Sequence, residues 1–196
     1  MSYESIARCL GKENFCVFPN FLSVQELQDT RDDLQSLQEQ GSFHHAGTGQ
    51  GDALSKLNDI RRDSIFWLER EGANQVQILL WKKMDALQQS FNRALFLGLQ
   101  SFEGHYASYP EGGYYKKHRD CFAHDQTRVV SMALYLNHNW QKSNGGALRI
   151  YNEIGHQDIT PIGGTLVCFL SAESEHEVQC NLVERLSFTG WFSRAR

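Results

Sequence analysis

The chain has 196 residues, of which 41% are hydrophobic and 21% charged, the composition of an ordinary globular domain with enough material for one full core. Its formal net charge of −4 gives no general attraction to nucleic acid or to an anionic membrane. The start of the chain lacks a signal-peptide pattern, and no apolar run approaches the roughly 18 residues of a membrane span. Cys9, Cys16, Cys121, Cys168 and Cys180 are odd in number and lack Cys-x-x-Cys spacing, which favours reduced thiols and a cytoplasmic setting over a disulfide framework.

The first readable element is a helix. Ser23-Val24-Gln25-Glu26 fits a capping box, in which the Ser23 hydroxyl and Glu26 carboxylate satisfy each other's free backbone N–H groups. Val24, Leu27, Leu34 and Leu37 then share a stripe, and Gly41 supplies a stop. Gly41 to Asp59 is rich in Gly, Ser, His and Asp and reads as a long loop of the kind that covers a site, with His44 and His45 as solvent-exposed loop residues. Asp63 to Leu68 reads as a strand. A second helix is predicted from about Ala73 to about Leu97, where Leu80, Met84, Leu87, Phe91 and Ala94 recur at helical spacing. Such one-sided apolar helices need a broad apolar partner, for which a sheet is suited.

From Gly104 onward the pattern becomes β. In Val129 to Leu136, Val130, Met132, Leu134 and Leu136 share a large apolar face suited to the helices. Val129, Ser131, Ala133 and Tyr135 share the smaller face, suited to an interior that leaves space for a ligand. Further strands are expected at Ala147 to Tyr151 after the Asn144-Gly145-Gly146 turn, at Thr165 to Leu170, and at Leu182 to Phe192. No repeat or interdomain linker interrupts the chain, so a single domain is expected over residues 1–196. Helical support and covering loop would occupy 1–103 and the β core 104–196.

Within this β region, His118 and Asp120 are two residues apart, the spacing that puts both on one face of a strand, and His176 offers a third donor. Two imidazoles and one carboxylate on one side of a metal form the facial triad of non-haem Fe(II) oxygenases, which leaves positions open for substrate and oxygen. Arg185 lies nine residues after His176, where its guanidinium fork could grip the far carboxylate of 2-oxoglutarate. Arg185, Ser187, Thr189 and Trp191 share one face of the last strand, so an inward Arg185 brings the Ser187 hydroxyl inward too, and Tyr135 could add a hydrogen bond from a facing strand. An inward Arg185 would require an anionic ligand or an internal acid. Taken singly, each residue has a plainer reading: a chance His-x-Asp, a surface histidine, a surface arginine. His105, His124, His138 and His156 have no spaced partners and read as surface or turn residues. Cys121 reads as structural. Trp67 and Trp191 read as core residues, with Trp191 the one better placed to reach a pocket. Lys116-Lys117 reads as a solvated rim.

Together these residues resemble the 2-oxoglutarate and Fe(II)-dependent oxygenases, and more finely the prolyl 4-hydroxylases that act on hypoxia-inducible factor and their bacterial relatives. The resemblance is carried by His118-x-Asp120, His176-Glu177-Val178 and Arg185, and by Tyr109-Pro110, Tyr115 and Tyr135-Leu136-Asn137 with Trp140. Gly145-Gly146-x-Leu148-Arg149-Ile150, Thr189-Gly190-Trp191-Phe192 and Asp59-Ile60-Arg61-Arg62-Asp63 complete it. It implies an α+β fold, a double-stranded β-helix (jelly-roll) core with supporting N-terminal helices. It implies His118, Asp120 and His176 as iron ligands, Arg185 and Tyr135 on 2-oxoglutarate, Tyr109 lining its pocket, and Trp191 flanking the iron. Asp63 and Arg128 would pair to steady the covering loop. The implied cofactors are Fe(II), 2-oxoglutarate and O2, with ascorbate keeping the iron reduced. The implied substrate is a proline in a protein or peptide, a loop proline of a translation protein such as elongation factor Tu being one candidate by analogy with bacterial relatives. The rival readings are an oxygenase acting on another residue or a small molecule, and a non-catalytic jelly-roll that merely holds a metal.

Overall fold

The structure, a computed structural model, describes residues 2–46, 60–121 and 127–195. Residues 47–59 of the expected covering loop, and His124, lie outside the described residues. Three α-helices and eleven strands follow in the order α1 Tyr3–Glu13, β1 Phe15–Phe18, α2 Val24–Glu39, β2 His44–His45, β3 Ser64–Leu68, α3 Gln75–Leu95, β4 Ser101–Tyr109, β5 Tyr115–His118, β6 Arg128–Tyr135, β7 Leu148–Asn152, β8 Gly155–Ile159, β9 Leu166–Leu170, β10 His176–Val178 and β11 Arg185–Ser193. Pairing is antiparallel throughout and builds a seven-stranded sheet, β1-β9-β6-β11-β4-β3-β2, and a four-stranded sheet, β5-β10-β7-β8. This is the expected jelly-roll. The larger sheet also recruits β1, β2 and β3 from the first part of the chain.

Two cores follow from strand alternation. Outward-facing Tyr106, Val130, Met132, Leu134, Phe188 and Phe192 pack against Leu34 of α2 and Leu80, Met84, Leu87 and Phe91 of α3. Inward-facing Ala107, Tyr109, Ala133, Tyr135, Val167 and Phe169 meet Leu148, Ile150, Ile159 and Val178 of the smaller sheet. The cross-strand pair Gly104–Gly190 lets this packing close. A Cβ at Gly190 would lie 2.5 Å from the Phe102 ring, and one at Gly104 would lie 2.8 Å from the Phe188 ring.

Both expected helices form, each with a capping box: Ser23 with Glu26, and Asn74 with Gln77. Their buried stripes differ in detail. Val24 at the exposed first turn is solvated and Thr30 is buried in its place, donating to the Glu26 carbonyl. Ala94 is exposed, because the helix has passed the edge of the core by its last turn. Asp33 of α2 ties the layers together, accepting hydrogen bonds from Asn74 (2.6 Å), Gln77 (3.1 Å) and the Tyr106 hydroxyl (2.8 Å). The helix α1 was not anticipated. Its buried Ile6, Ala7 and Leu10 pack beside α3, with Gly11 against Leu95. His44 and His45 form a short edge strand rather than loop.

Two outcomes test this packing. Leu87→Ala should cost about 2–5 kcal/mol in a denaturant titration, the usual loss for a fully buried leucine. Burial raises the Glu26 pKa, but the Ser23 N–H and the Lys83 ammonium at 3.0 Å outweigh it and leave the group below its ordinary 4.5. A depressed folded pKa stabilises above the unfolded value and is lost as pH falls through the folded one. Glu26→Gln should therefore melt below the wild type at pH 7, with the gap closing under acid conditions.

Candidate metal and cosubstrate site

The smaller sheet sets the first contact of the site. Strand β10 pairs with β5 so that His176 lies directly opposite His118. Asp120 stands beyond the end of β5 at a bend, so it reaches its neighbours through the turn rather than through strand alternation. Its carboxylate oxygens lie 3.5 Å from His118 Nε2 and 3.6 Å from His176 Nε2. Donor atoms of all three residues fall within 4.8 Å of one another, the only such cluster of three or more His, Cys, Asp or Glu among the described residues.

The backbone orients both imidazoles. His118 Nδ1 lies 2.7 Å from the Lys116 carbonyl and His176 Nδ1 lies 3.0 Å from the Ser174 carbonyl, so Nδ1–H donates and the Nε2 lone pairs face Asp120. Burial pushes the His176 pKa down, against the pull of Asp120, and keeps the ring neutral. Burial would raise the Asp120 pKa, but any proton on His176 or His118, together with the Ser131 hydroxyl, outweighs it and holds the group well below the usual carboxylate range. Asp120 Oδ2 also accepts from the Ser131 hydroxyl at 2.7 Å, and Ser131 in turn lies 2.8 Å from the Ser171 hydroxyl. Sequence reasoning put Ser131 on the inner face but missed this role; its facing the same interior as Tyr135 was the available signal.

His118 is further braced by a stack. The Tyr115 ring lies 3.6 Å from the His118 ring at 16°, and Arg61 sits 4.3 Å over the other side of the system on Tyr115. Arg61 forms a two-point pair with buried Asp63. The expected Asp63–Arg128 pair is therefore not made. Arg128 instead pairs with Glu103 at 2.7 Å and lies 3.7 Å over the Trp191 ring, because β6 and β4 flank β11 at that level.

A cavity of about 320 Å³ joins these groups to Arg185, Tyr109, Tyr115, Thr189 and Trp191. Arg185 is 2% exposed, and its guanidinium lies 5.1 Å from the Tyr109 and Tyr135 rings. Its Nε donates to the Gly146 carbonyl at 2.9 Å. Gly146 has φ +65, and a Cβ there would press on Arg185 at 3.1 Å, which explains a glycine at that turn. No carboxylate of a described residue pairs with Arg185 within 4.0 Å. The Tyr135 hydroxyl is buried without a hydrogen-bond partner among the described residues, and burial pushes its pKa up to about 12 despite Arg185, so it remains a donor. A buried cation beside an orphaned hydroxyl donor is a receptor for an anion. Ser187 is buried, pairs with Tyr135 across β6 and β11, and lies 3.4 Å from the Thr189 hydroxyl; it and Tyr135 stand just behind the lining of the cavity.

Two expectations about cavity residues change. Trp67 is 37% exposed and stands in the cavity wall rather than in the core. His105 is buried in the same wall rather than at the surface. Cys121 donates to the Arg128 carbonyl, consistent with its structural reading.

The donor set suits Fe(II): two imidazoles and a carboxylate, without thiolates and open on the cavity side. The receptor at Arg185 suits the free carboxylate of a cosubstrate.

Comparison with known proteins agrees. The profile of the 2OG-Fe(II) oxygenase superfamily matches residues 104–193. The chain is 34% identical to a Pseudomonas putida prolyl-4-hydroxylase of known structure, with a TM-score of 0.90 over 98% of this chain and 99% of that one. A Trichoplax adhaerens prolyl hydroxylase, solved with a peptide of the hypoxia-inducible factor oxygen degradation domain, gives 27% identity and a TM-score of 0.85 over 97% of this chain and 90% of that one. Human Egl nine homolog 1 is 32% identical over 98% of this chain. The chain spans 46% of that relative, and about half the length of the curated relatives it matches. Among the described residues no helix is long and apolar enough to cross a membrane. The chain belongs to the 2OG-Fe(II) oxygenase superfamily, whose members use Fe(II), 2-oxoglutarate and O2.

Proposed function

We propose that the protein is a prolyl 4-hydroxylase acting on proline in a protein or peptide. The observation that carries this reading is a single cavity with a three-donor metal site and, in the same lining, a buried arginine lacking a protein counter-charge. Similarity to a bacterial prolyl-4-hydroxylase and to a relative solved with a peptide supports proline as the target. When bound, iron and 2-oxoglutarate supply the oxidation, in which O2 is consumed, 2-oxoglutarate becomes succinate and CO2, and one oxygen atom enters a C–H bond.

The protein's own residues do the rest. His118, Asp120 and His176 hold the metal from one side, their lone pairs fixed by the Lys116 and Ser174 carbonyls and by Ser131. Arg185 and the Tyr135 hydroxyl take the free carboxylate of 2-oxoglutarate, with Tyr109 closing that end. Trp191 and Thr189 continue the wall toward the metal. Ser187, paired with Tyr135 across β6 and β11 and 3.4 Å from the Thr189 hydroxyl, is a further candidate contact for the free carboxylate of 2-oxoglutarate. The apolar lining from Ile65, Ala133, Leu148, Phe169 and Val178 excludes water and positions the target carbon. A purely structural metal site would have no use for the unmatched Arg185. Residues 1–103 supply the supporting helices and also β1, β2 and β3, which extend the larger sheet of the core at 104–196. A loop proline in a translation protein such as elongation factor Tu is one candidate target.

The test is a proline-centred peptide library incubated with Fe(II), 2-oxoglutarate and ascorbate. Succinate release and a +16 mass on proline are expected, and +16 on another residue or none would overturn the reading. His118→Ala and Asp120→Ala should abolish turnover. Arg185→Ala should raise the KM for 2-oxoglutarate by tenfold or more (about 1.4 kcal/mol or above) while leaving metal binding intact. Ser131→Ala should weaken Mn(II) binding by about 10- to 100-fold, beyond a modest fall in the melting temperature of the metal-free protein, since it removes the hydroxyl that orients Asp120 and leaves the Ser171 hydroxyl without that partner.

A further inference from the structure

His105 is a buried titratable group of the cavity wall that this mechanism leaves unused. It lies in β4, opposite Trp67 of β3 and opposite Thr189 of β11, so the three form one row across the larger sheet. The imidazole centroid is 4.8 Å from the Trp67 ring and 5.4 Å from the Trp191 ring. The two indoles are themselves 6.2 Å apart, so the three rings form one aromatic cluster in the wall. It is 3% exposed, and its Nδ1 is buried with no hydrogen-bond partner among the described residues. A native structure rarely leaves such an atom orphaned without a ligand to complete it. Burial, then the charges of Arg61 and Arg128, push its pKa down to about 3, against Asp120, so the ring is neutral whenever the protein is folded at ordinary pH.

The position of this row bears on which ligand it meets. Along β4, His105 is four residues, about 13 Å of strand, from Tyr109, which faces Arg185 across the ladder. The row instead leads to Trp67, a part of the wall that reaches solvent. A five-carbon diacid with one end at Arg185 and the other at the metal has no polar group to spare for it. A peptide entering past Trp67 brings neutral amides, which a neutral imidazole can meet without leaving a charge unpaired.

We infer that His105 is a specificity-determining residue for the peptide, its imidazole hydrogen-bonding a main-chain amide of the segment that carries the target proline. This rests on the prolyl hydroxylase reading above. The probe is the library peptide that the wild type turns over best. Its affinity is read by tryptophan fluorescence with Mn(II) and 2-oxoglutarate bound, so no turnover is needed. His105→Phe keeps a flat ring beside the indoles and removes the polar atoms, and His105→Leu is a second apolar variant. His105→Asn places an amide where Nδ1 lies. The apolar variants should weaken peptide binding about tenfold, with 2-oxoglutarate affinity and peptide-independent 2-oxoglutarate consumption unchanged. The Asn variant should recover to within about threefold of the wild type. Unchanged peptide affinity in the apolar variants, an equal loss of 2-oxoglutarate affinity, or an Asn variant no better than Phe would each overturn the inference. If the wild type turns over no library peptide, it is the enzyme reading that fails; if it does and the apolar variants bind equally well, only the role of His105 fails.

Discussion

Two unmatched charges in one cavity govern this structure. Near one end, the Asp120 carboxylate faces two imidazoles whose lone pairs point at it, an arrangement that a cation completes. At the other, Arg185 is buried without an acid and beside the free Tyr135 hydroxyl, an arrangement that an anion completes. A buried unpaired charge costs on the order of several kcal/mol. A metal held by His118, Asp120 and His176 and a dianion held by Arg185 would offset both costs together. The fold and its ligands are thus thermodynamically linked, and anything that binds only the folded cavity stabilises it.

The scaffold holds those charges apart and in register. The larger sheet is fastened to α2 and α3 through its outer face, with Asp33 joining both helices to Tyr106 of β4. That leaves its inner face rigid, and β4, β6 and β11 carry Tyr109, Ser131, Tyr135 and Arg185 on it. The smaller sheet brings the two histidines opposite each other through the β5–β10 pairing. Small motions of one sheet against the other would change the metal-to-arginine span, so packing between Ala133, Phe169, Leu148 and Val178 sets the geometry of the chemistry.

Much of this was legible in the chain. The alternation of Val130, Met132, Leu134 and Leu136 against Ser131, Ala133 and Tyr135 marked both faces of β6, because period-2 patterning survives wherever a strand separates two cores. The capping box at Ser23 and the stripe on α3 reported local physics that tertiary packing did not override. Other features depend on contacts between distant segments. His105 carries no spacing signal of its own; its burial comes from pairing with Trp67 and Thr189. The strand β10 is three residues long and β2 two, too short to show a pattern. Arg61 took Asp63, and Arg128 took Glu103, because geometry across the sheet decides among several equivalent cations and acids. The helix α1 escaped notice since its three buried residues, Ile6, Ala7 and Leu10, make a narrow stripe.

Anaerobic absorption spectroscopy tests the central claim most directly. Fe(II) is added to the protein, followed by 2-oxoglutarate, while the visible spectrum is recorded. The account predicts a weak visible charge-transfer band that appears only when both are present and saturates at one equivalent of each. The same band should require much more 2-oxoglutarate in Arg185→Ala and be absent in Asp120→Ala. No band in the wild type, or a band indifferent to both substitutions, would contradict the account.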